Sequence, residues 1–190
     1  MTEEKDNVAN NNEIVVDVRQ ETPDEASKLS NLAKATFAEF LGTVIYVFLA
    51  TNTQYYSISP ALVLVGLIII FRNISGAHFN PVITLAVRMS GNMEGSKAMI
   101  LYSGFQLLGG MVGAALSRIV LPHDNYMAHN GGATTLSNTV EVPSAIACEA
   151  IITFVLVLTY LMSTLNKSNT HSVISPVAIG FVAWANIEAV

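Results

Sequence analysis

Polar side chains with hydrogen-bonding chemistry cluster in one stretch of this chain, Ser75 to Gly91, SGAHFNPVITLAVRMSG. Ser75, His78 and Asn80 bring a hydroxyl, an imidazole and a carboxamide within six residues of one another. The sequence contains no nucleophile paired with a base and no phosphate-binding loop, so it does not read as an enzyme, and no cofactor is expected. The spacing instead predicts a short helix with a specialised start. Asn80 is a strong N-cap, Pro81 suits the first helical position, and Gly91 suits the stop. A helix of about ten residues is about 15 Å long, half of the ~30 Å hydrocarbon core of a bilayer. Ser75, Gly76 and Ala77 are small enough for the approaching chain to pack closely, with its carbonyls free to face a pore.

Whether a bilayer is the right setting follows from the elements around this stretch. Of the 190 residues, 52% are hydrophobic and 12% charged, and the mean hydropathy is +0.49. A soluble domain carries about 25% charged residues. Residues 1–32 hold eight acidic and three basic side chains, and the remainder holds only six of each. The net charge of -5 therefore belongs mostly to the tail and gives no reason to expect nucleic acid as a partner. The tail, 1–32, reads as disordered and cytosolic, although EIVVDV at 13–18 has the composition of a short strand. It lacks the apolar core of a secretory signal. Residues 33–190 read as a transmembrane domain.

That domain contains five apolar runs, Ala35 to Ala50, Ile58 to Phe71, Ala98 to Ser117, Ala145 to Leu165 and Val173 to Ile187. Polar faces at helical spacing, which a soluble bundle would show, are almost absent. The second run reaches spanning length only if it starts near Tyr55. Lys28 and Lys34 precede the first run; Arg72, Arg88 and Lys97 lie between the second and third; Lys167 lies between the fourth and fifth. Residues 121–143 carry no Lys or Arg, with Arg118 just before them as the exception. This distribution predicts five crossings with the N-terminus in the cytosol. Residues 72–97 are then cytosolic at both ends and apolar in the middle. That pattern predicts a segment that enters the membrane and returns to the same side, and its Asn80 end reaches the midplane. Non-helical backbone survives at that depth only when it is buried in protein or lines water.

The chain also repeats. EFLGTVIYVFL from Glu39 and EAIITFVLVLT from Glu149 share Glu, Thr four residues later and Val four after that. Each is followed by Ser-Pro opening the next run, Ser59-Pro60 and Ser175-Pro176. Two like halves separated by an odd number of crossings are inverted in the membrane, an arrangement of channels and transporters. Glu39 and Glu149 are charges inside apolar helices and need partners.

Taken together these motifs resemble the aquaporin, or major intrinsic protein, family. SGAHFNPVITLAV is similar to the family's first half-helix box, with Val82 where Ala is usual. AEFLGT, FQLLGGMVGA, CEAIITFVLVLTYL and SPVAIGFVAWAN resemble its first, third, fourth and fifth helices. The likeness runs from Ala33 to Val190. It implies an all-α membrane protein, an inverted-repeat helical bundle with a re-entrant half-helix. Two departures stand out. The connection between the first two runs is short for the family. Only 14 residues follow Pro176, so the second Asn-Pro box, its half-helix, the arginine after it and a sixth crossing do not occur, and the expectation is a second half truncated in this sequence.

The resemblance implies roles residue by residue. Asn80, with Pro81 and Val82, would form the pore box, the carboxamide donating to a passing water while the half-helix N-terminus repels cations and protons; the plain alternative is a helix cap alone. Ser75, Gly76, Ala77 and His78 would form the box loop, with His78 as a brace. Glu39 and Glu149 would accept hydrogen bonds from the box loops, a proton relay being the alternative. The narrow filter would take Ile187 and Pro60, an aliphatic constriction suited to small neutral solutes beside water. The implied partners are the lipid bilayer, water and small neutral solutes, and further copies of the chain in a homo-tetramer. The implied function is a passive channel; the alternative is a non-conducting relative that assembles with or regulates full-length channels.

Other features read as structure. Gly109 with Gly113, and Gly110 with Ala114, give small-xxx-small spacing for close helix packing. Cys148 reads as a small packing residue, and one cysteine excludes a disulfide framework. His123 and His129 share a loop without a third ligand, so no metal site is expected. The sequons at Asn73 and Asn166 fall on the expected cytosolic side.

Overall fold

The structure, a computed structural model, describes residues 24–53, 57–93, 95–128, 130–165 and 173–189. Residues 13–18, Tyr55, His129, Asn166 and Lys167 therefore lie outside the described residues.

Among the described residues seven α-helices follow one another: α1 Glu25–Asn52, α2 Ile58–Ser75, α3 Pro81–Met89, α4 Gly95–Val120, α5 His123–Ala128, α6 Val142–Tyr160 and α7 Ser175–Glu188. A π-helical turn, Leu161–Leu165, extends α6. The first helix starts eight residues before the expected domain boundary at residue 33. Asp24 is extended and its carboxylate accepts from the Ser27 amide at 2.8 Å, which satisfies an otherwise orphaned donor and moves the start back to Glu25. Among the described residues four helices are long and apolar enough to cross a membrane: α1, α2, α4 and α6 with its π turn. Five crossings were expected. The fifth run forms α7, whose 14 described residues amount to about 21 Å. Its start is set by Pro176, which has no amide hydrogen to bond to a preceding turn.

Contacts between helices fix their relative directions. Phe40, Val44 and Phe48 of α1 meet Gly109, Gly113 and Ser117 of α4 in that order, so α1 and α4 run parallel. The two backbones are close. A Cβ on Gly109 would stand 2.7 Å from the Phe40 carbonyl oxygen, and one on Gly113 would stand 2.7 Å from that of Val44. Only this half of the small-residue pattern makes the contact, since Gly110 faces open space. Ser57 meets Glu188, and Val65 meets Gly180, so α2 and α7 are antiparallel. Ile152 with Asn186 and Ser163 with Ser175 make α6 and α7 antiparallel as well.

These directions have a topological consequence. The chain returns through α2 after α1, yet α4 runs parallel to α1. The chain after Ser75 must therefore come back, before α4 begins, to the side from which it left. The short helix α3 within this return does not cross. In the repeat, α1 corresponds to α6 and α2 to α7. Each pair runs in opposite directions, which is an inverted repeat.

The buried core lies where the repeat halves meet. Leu64, Ile68 and Phe71 of α2, Phe79 and Ile83 around the start of α3, Tyr160 of α6, and Ile179 and Ala183 of α7 form one cluster. The outer faces, with Ile69 and Ile70, Leu107 and Met111, and Ile151 and Phe154, are exposed and apolar, as helices in lipid are.

Candidate functional site

The site is built around the loop Gly76 to Asn80 that leads into α3. Three of its residues have left-handed backbone: Gly76 at φ 94°, Ala77 at 59° and Phe79 at 49°. For non-glycine residues this conformation costs on the order of 1 kcal/mol or more each and persists only where neighbours over-determine it.

Glu39 of α1 supplies that determination. Its side chain is fully buried. One carboxylate oxygen accepts from the His78 amide at 3.0 Å and from the Ser75 hydroxyl. The other accepts from the Phe79 amide at 2.7 Å and from Gln106 Nε2 at 2.8 Å. Four donors meeting two oxygens offset the cost of a charge inside the bundle. Gly42, one turn further along α1, leaves room for the Phe79 ring; a Cβ there would stand 2.0 Å from Phe79 Cε1. Phe79 also meets Phe71 edge-on at 5.8 Å.

His78 is buried between two tyrosines, with ring centroids 5.5 Å from both Tyr102 and Tyr160. Its Nδ1 lies 3.1 Å from Thr84 Oγ1, and Thr84 in turn bonds Gln106. The Tyr160 hydroxyl donates to the Gly76 carbonyl at 2.7 Å, and Tyr102 donates to that of Ser75 at 3.1 Å. The loop is thus held by its amides from α1, by its ring through Thr84 and Gln106, and by its first carbonyls from α4 and α6. The next three carbonyls, those of Ala77, His78 and Phe79, accept no hydrogen bond among the described residues.

Asn80 is extended, and its side-chain oxygen accepts from the Val82 amide at 2.8 Å. An amide N–H can only donate, so the cap fixes the orientation of the carboxamide. The oxygen is consumed and the NH2 group remains, a double donor with no partner among the described residues. Capping and donation, set against each other as alternatives in the sequence, are two ends of one group. At the far end of α3, Ser90 is the cap, Gly91 follows at φ 78°, and the Asn92 amide reaches back to the Val87 carbonyl at 3.1 Å. This left-handed glycine stop closes the nine-residue half-helix.

One chamber adjoins the loop, and a second adjoins that chamber. The inner one, about 200 Å³, is lined by the loop itself from Ala77 to Asn80 and by apolar side chains of α2, α6 and α7. The outer one, about 620 Å³, is lined by Pro60, Glu149 and Ile187, by Thr51 and Ser57, and by Thr134 and Thr135 of the connection before α6. Tyr46, Asn186 and Ile187 belong to both and mark the junction.

The residues singled out in the sequence fall into two groups. Ser75, Gly76, Ala77, His78, Asn80 and Glu39 come together at the loop. Pro81 opens α3, while Val82 lends its backbone to the cap and leaves its side chain 45% exposed. Pro60, Ile187 and Glu149 come together around the outer chamber, and Glu149 is exposed there without a hydrogen bond among the described residues. Sequence reasoning missed Gln106, Thr84, Tyr102, Tyr160 and Asn186. Gln106 carried a signal: it is an amide on the face of the third run that also carries Gly109 and Gly113.

The family described as Major intrinsic protein matches residues 25–190 of this chain. Aquaporin-8 of Rattus norvegicus is 36% identical over 164 residues, covering 80% of this chain and 61% of that one. Aquaporin TIP1-2 of Zea mays is 34% identical over 179 residues, covering 83% and 67%. The X-ray structure of the aquaglyceroporin from Plasmodium falciparum superposes with a TM-score of 0.68 at 18% identity, covering 81% of this chain and 71% of that one, which shows a shared fold. The fold and site define an inverted-repeat helical membrane protein with a re-entrant half-helix, and the chain belongs to the major intrinsic protein family. It spans about three fifths of the length of the rat relative.

Proposed function

We propose that this chain forms part of a passive membrane channel for water and small neutral solutes, with the two chambers as the path. The observation that carries the reading is the capped carboxamide of Asn80, whose NH2 group is left as an oriented donor on the inner chamber. The positive end of α3 acts at the same point and opposes cations and protons. The unbonded carbonyls of Ala77, His78 and Phe79 offer acceptors to a water handed along the loop. Glu149 is the only charged residue among the described residues lining either chamber, which suits neutral solutes.

The test is osmotic shrinkage of vesicles carrying the protein, followed by stopped flow, with Asn80→Asp compared at matched membrane amounts. The expected result is water flow above lipid-only vesicles with a low activation energy. Asn80→Asp should change permeability or proton exclusion more than it changes expression. Flow no greater than through lipid, or an unaltered Asn80→Asp channel, overturns the reading.

The orientation with the N-terminus in the cytosol rests on the Lys and Arg distribution. A glycosylation tag placed within residues 121–143 should be modified and one near Lys167 should not; the reverse pattern inverts the topology. A homo-tetramer is the assembly implied by the family resemblance, and native mass measurement in detergent tests it.

A further inference from the structure

The two asparagines on the inner chamber are held by backbone in opposite senses. Asn80 spends its oxygen on the Val82 amide and keeps its NH2. Asn186, on α7, does the reverse. Its Nδ2 donates to the Ile152 carbonyl at 2.9 Å. A carbonyl can only accept, so the NH2 end is the one consumed and the oxygen is left over. That oxygen has no partner among the described residues and is not among the buried side-chain atoms that lack one, so it is accessible, on a residue that lines both chambers. Asn186 also sits at the junction, which it shares with the aliphatic Ile187 and with Tyr46.

We propose that Asn186 is a specificity-determining residue of the path: its side-chain oxygen is the hydrogen-bond acceptor at the junction of the two chambers and favours solutes that carry several N–H or O–H donors. This deepens the channel reading and rests on it. The walls around the junction are poor in acceptors. Of the two residues that share the junction with Asn186, Ile187 offers no acceptor and Tyr46 only a hydroxyl, and the carbonyls of Ala77, His78 and Phe79 line the inner chamber alone. A solute entering from the outer chamber sheds bulk water there. Water in file keeps bonds to the water before and behind it. A bulkier donor such as urea, with four N–H groups, fills the junction and must find its acceptors on the wall. One unmet hydrogen bond costs about 1 kcal/mol, a factor of about five in rate. The acceptor therefore matters more to urea than to water.

The experiment measures urea and water permeability of the same vesicles, for the unaltered protein and for Asn186→Ala. Urea is a suitable probe because it is rich in donors and crosses lipid slowly. Three physical roles for Asn186 give three different results. If its oxygen is the acceptor, Asn186→Ala lowers the urea-to-water permeability ratio about fivefold although the junction is wider. If the side chain merely fills space, the wider junction raises the ratio. If its bond to Ile152 merely holds α6 on α7, urea and water fall together. Either of the last two outcomes overturns the proposal. Asn186→Leu, which keeps the volume and removes both polar atoms, carries the same expectation should the alanine variant fail to reach the membrane. An unaltered protein that passes neither water nor urea removes the channel reading itself, and this inference with it. An unaltered protein that conducts, with a ratio insensitive to both substitutions, removes the inference alone.

Discussion

Glu39 and Glu149 open the same pattern in the two halves of the repeat, and the structure treats them oppositely. Glu39 is fully buried and receives Ser75, His78, Phe79 and Gln106. Glu149 is exposed on the outer chamber and has no hydrogen bond among the described residues. Three residues further on the halves differ again. Gly42 makes room for a ring of the box loop, whereas Ile152 fills the corresponding place and offers its carbonyl to Asn186. The repeated pattern thus determines which turn of each helix faces the centre, and the segment lying on that turn determines what the carboxylate does there. A glutamate that accepts four hydrogen bonds is structural, while the same glutamate without them is a charge on the wall of a cavity.

The largest effect expected from this difference is at the carboxylates. Glu39→Ala leaves the His78 and Phe79 amides buried without an acceptor and takes from Gln106 Nε2 one of its two, Thr84 remaining, at about 1–3 kcal/mol for each unsatisfied group. The folded fraction should collapse, read as loss of the monodisperse peak in fluorescence-detected size exclusion. Glu149→Ala removes no partner and should stay within about 0.5 kcal/mol of the unaltered protein. Equal losses from the two substitutions would show that the halves use their carboxylates alike and would break the comparison.

Exchanging the next position is a smaller and more local test. Gly42→Ala places a Cβ within 2.0 Å of the Phe79 ring, which must move. Overpacking of this kind typically costs about 1–3 kcal/mol. The ring belongs to the residue whose amide Glu39 holds, so the loop geometry should suffer with it, and permeability should fall by more than stability alone accounts for. Ile152→Ala, on a half-buried side chain, should lower thermal stability less and leave the inner loop intact. A Gly42→Ala protein with unchanged melting and unchanged water flow would mean that the glycine is not what seats Phe79.

Much of the fold could be read from the sequence, and the reasons are local. Asn80, Pro81 and Gly91 mark the start and stop of α3 through caps that depend only on neighbouring residues, and α3 spans Pro81–Met89 as that logic requires. Re-entry followed from the placement of Arg72, Arg88 and Lys97, and the parallel course of α1 and α4 gives it independently. The first boundary moved because Asp24 caps a helix that lipid-length counting had no reason to begin there. The site was less legible because its bonds join residues distant in sequence. Gln106 reaches Glu39 from 67 positions away, and Tyr160 reaches Gly76 from 84. No periodicity encodes such a meeting. The opposite polarity of Asn80 and Asn186 was likewise hidden, because it depends on which atom of each carboxamide the nearby backbone consumes.

The smallest predicted effect tests whether the halves are independent. Tyr160 belongs to the second half, yet its hydroxyl donates to the Gly76 carbonyl of the first half's loop at 2.7 Å and its ring stands 5.5 Å from His78. Among the described residues its neighbour Thr159 bonds only within its own helix, to the Val155 carbonyl. Tyr160→Phe keeps the ring and removes one hydrogen bond, a loss of about 1 kcal/mol. Thr159→Val should cost less, because no loop depends on that hydroxyl. The informative measurement is a cycle with Glu39→Gln, which weakens the amide side of the same loop. Two substitutions acting on one strained segment should be non-additive by about 0.5 kcal/mol or more, whereas Thr159→Val with Glu39→Gln should simply add. Thermal melting of the six proteins in one detergent gives both cycles. Additivity in the Tyr160 cycle would mean that the second half does not brace the first, and that the loop's left-handed residues are held from α1 and α4 alone.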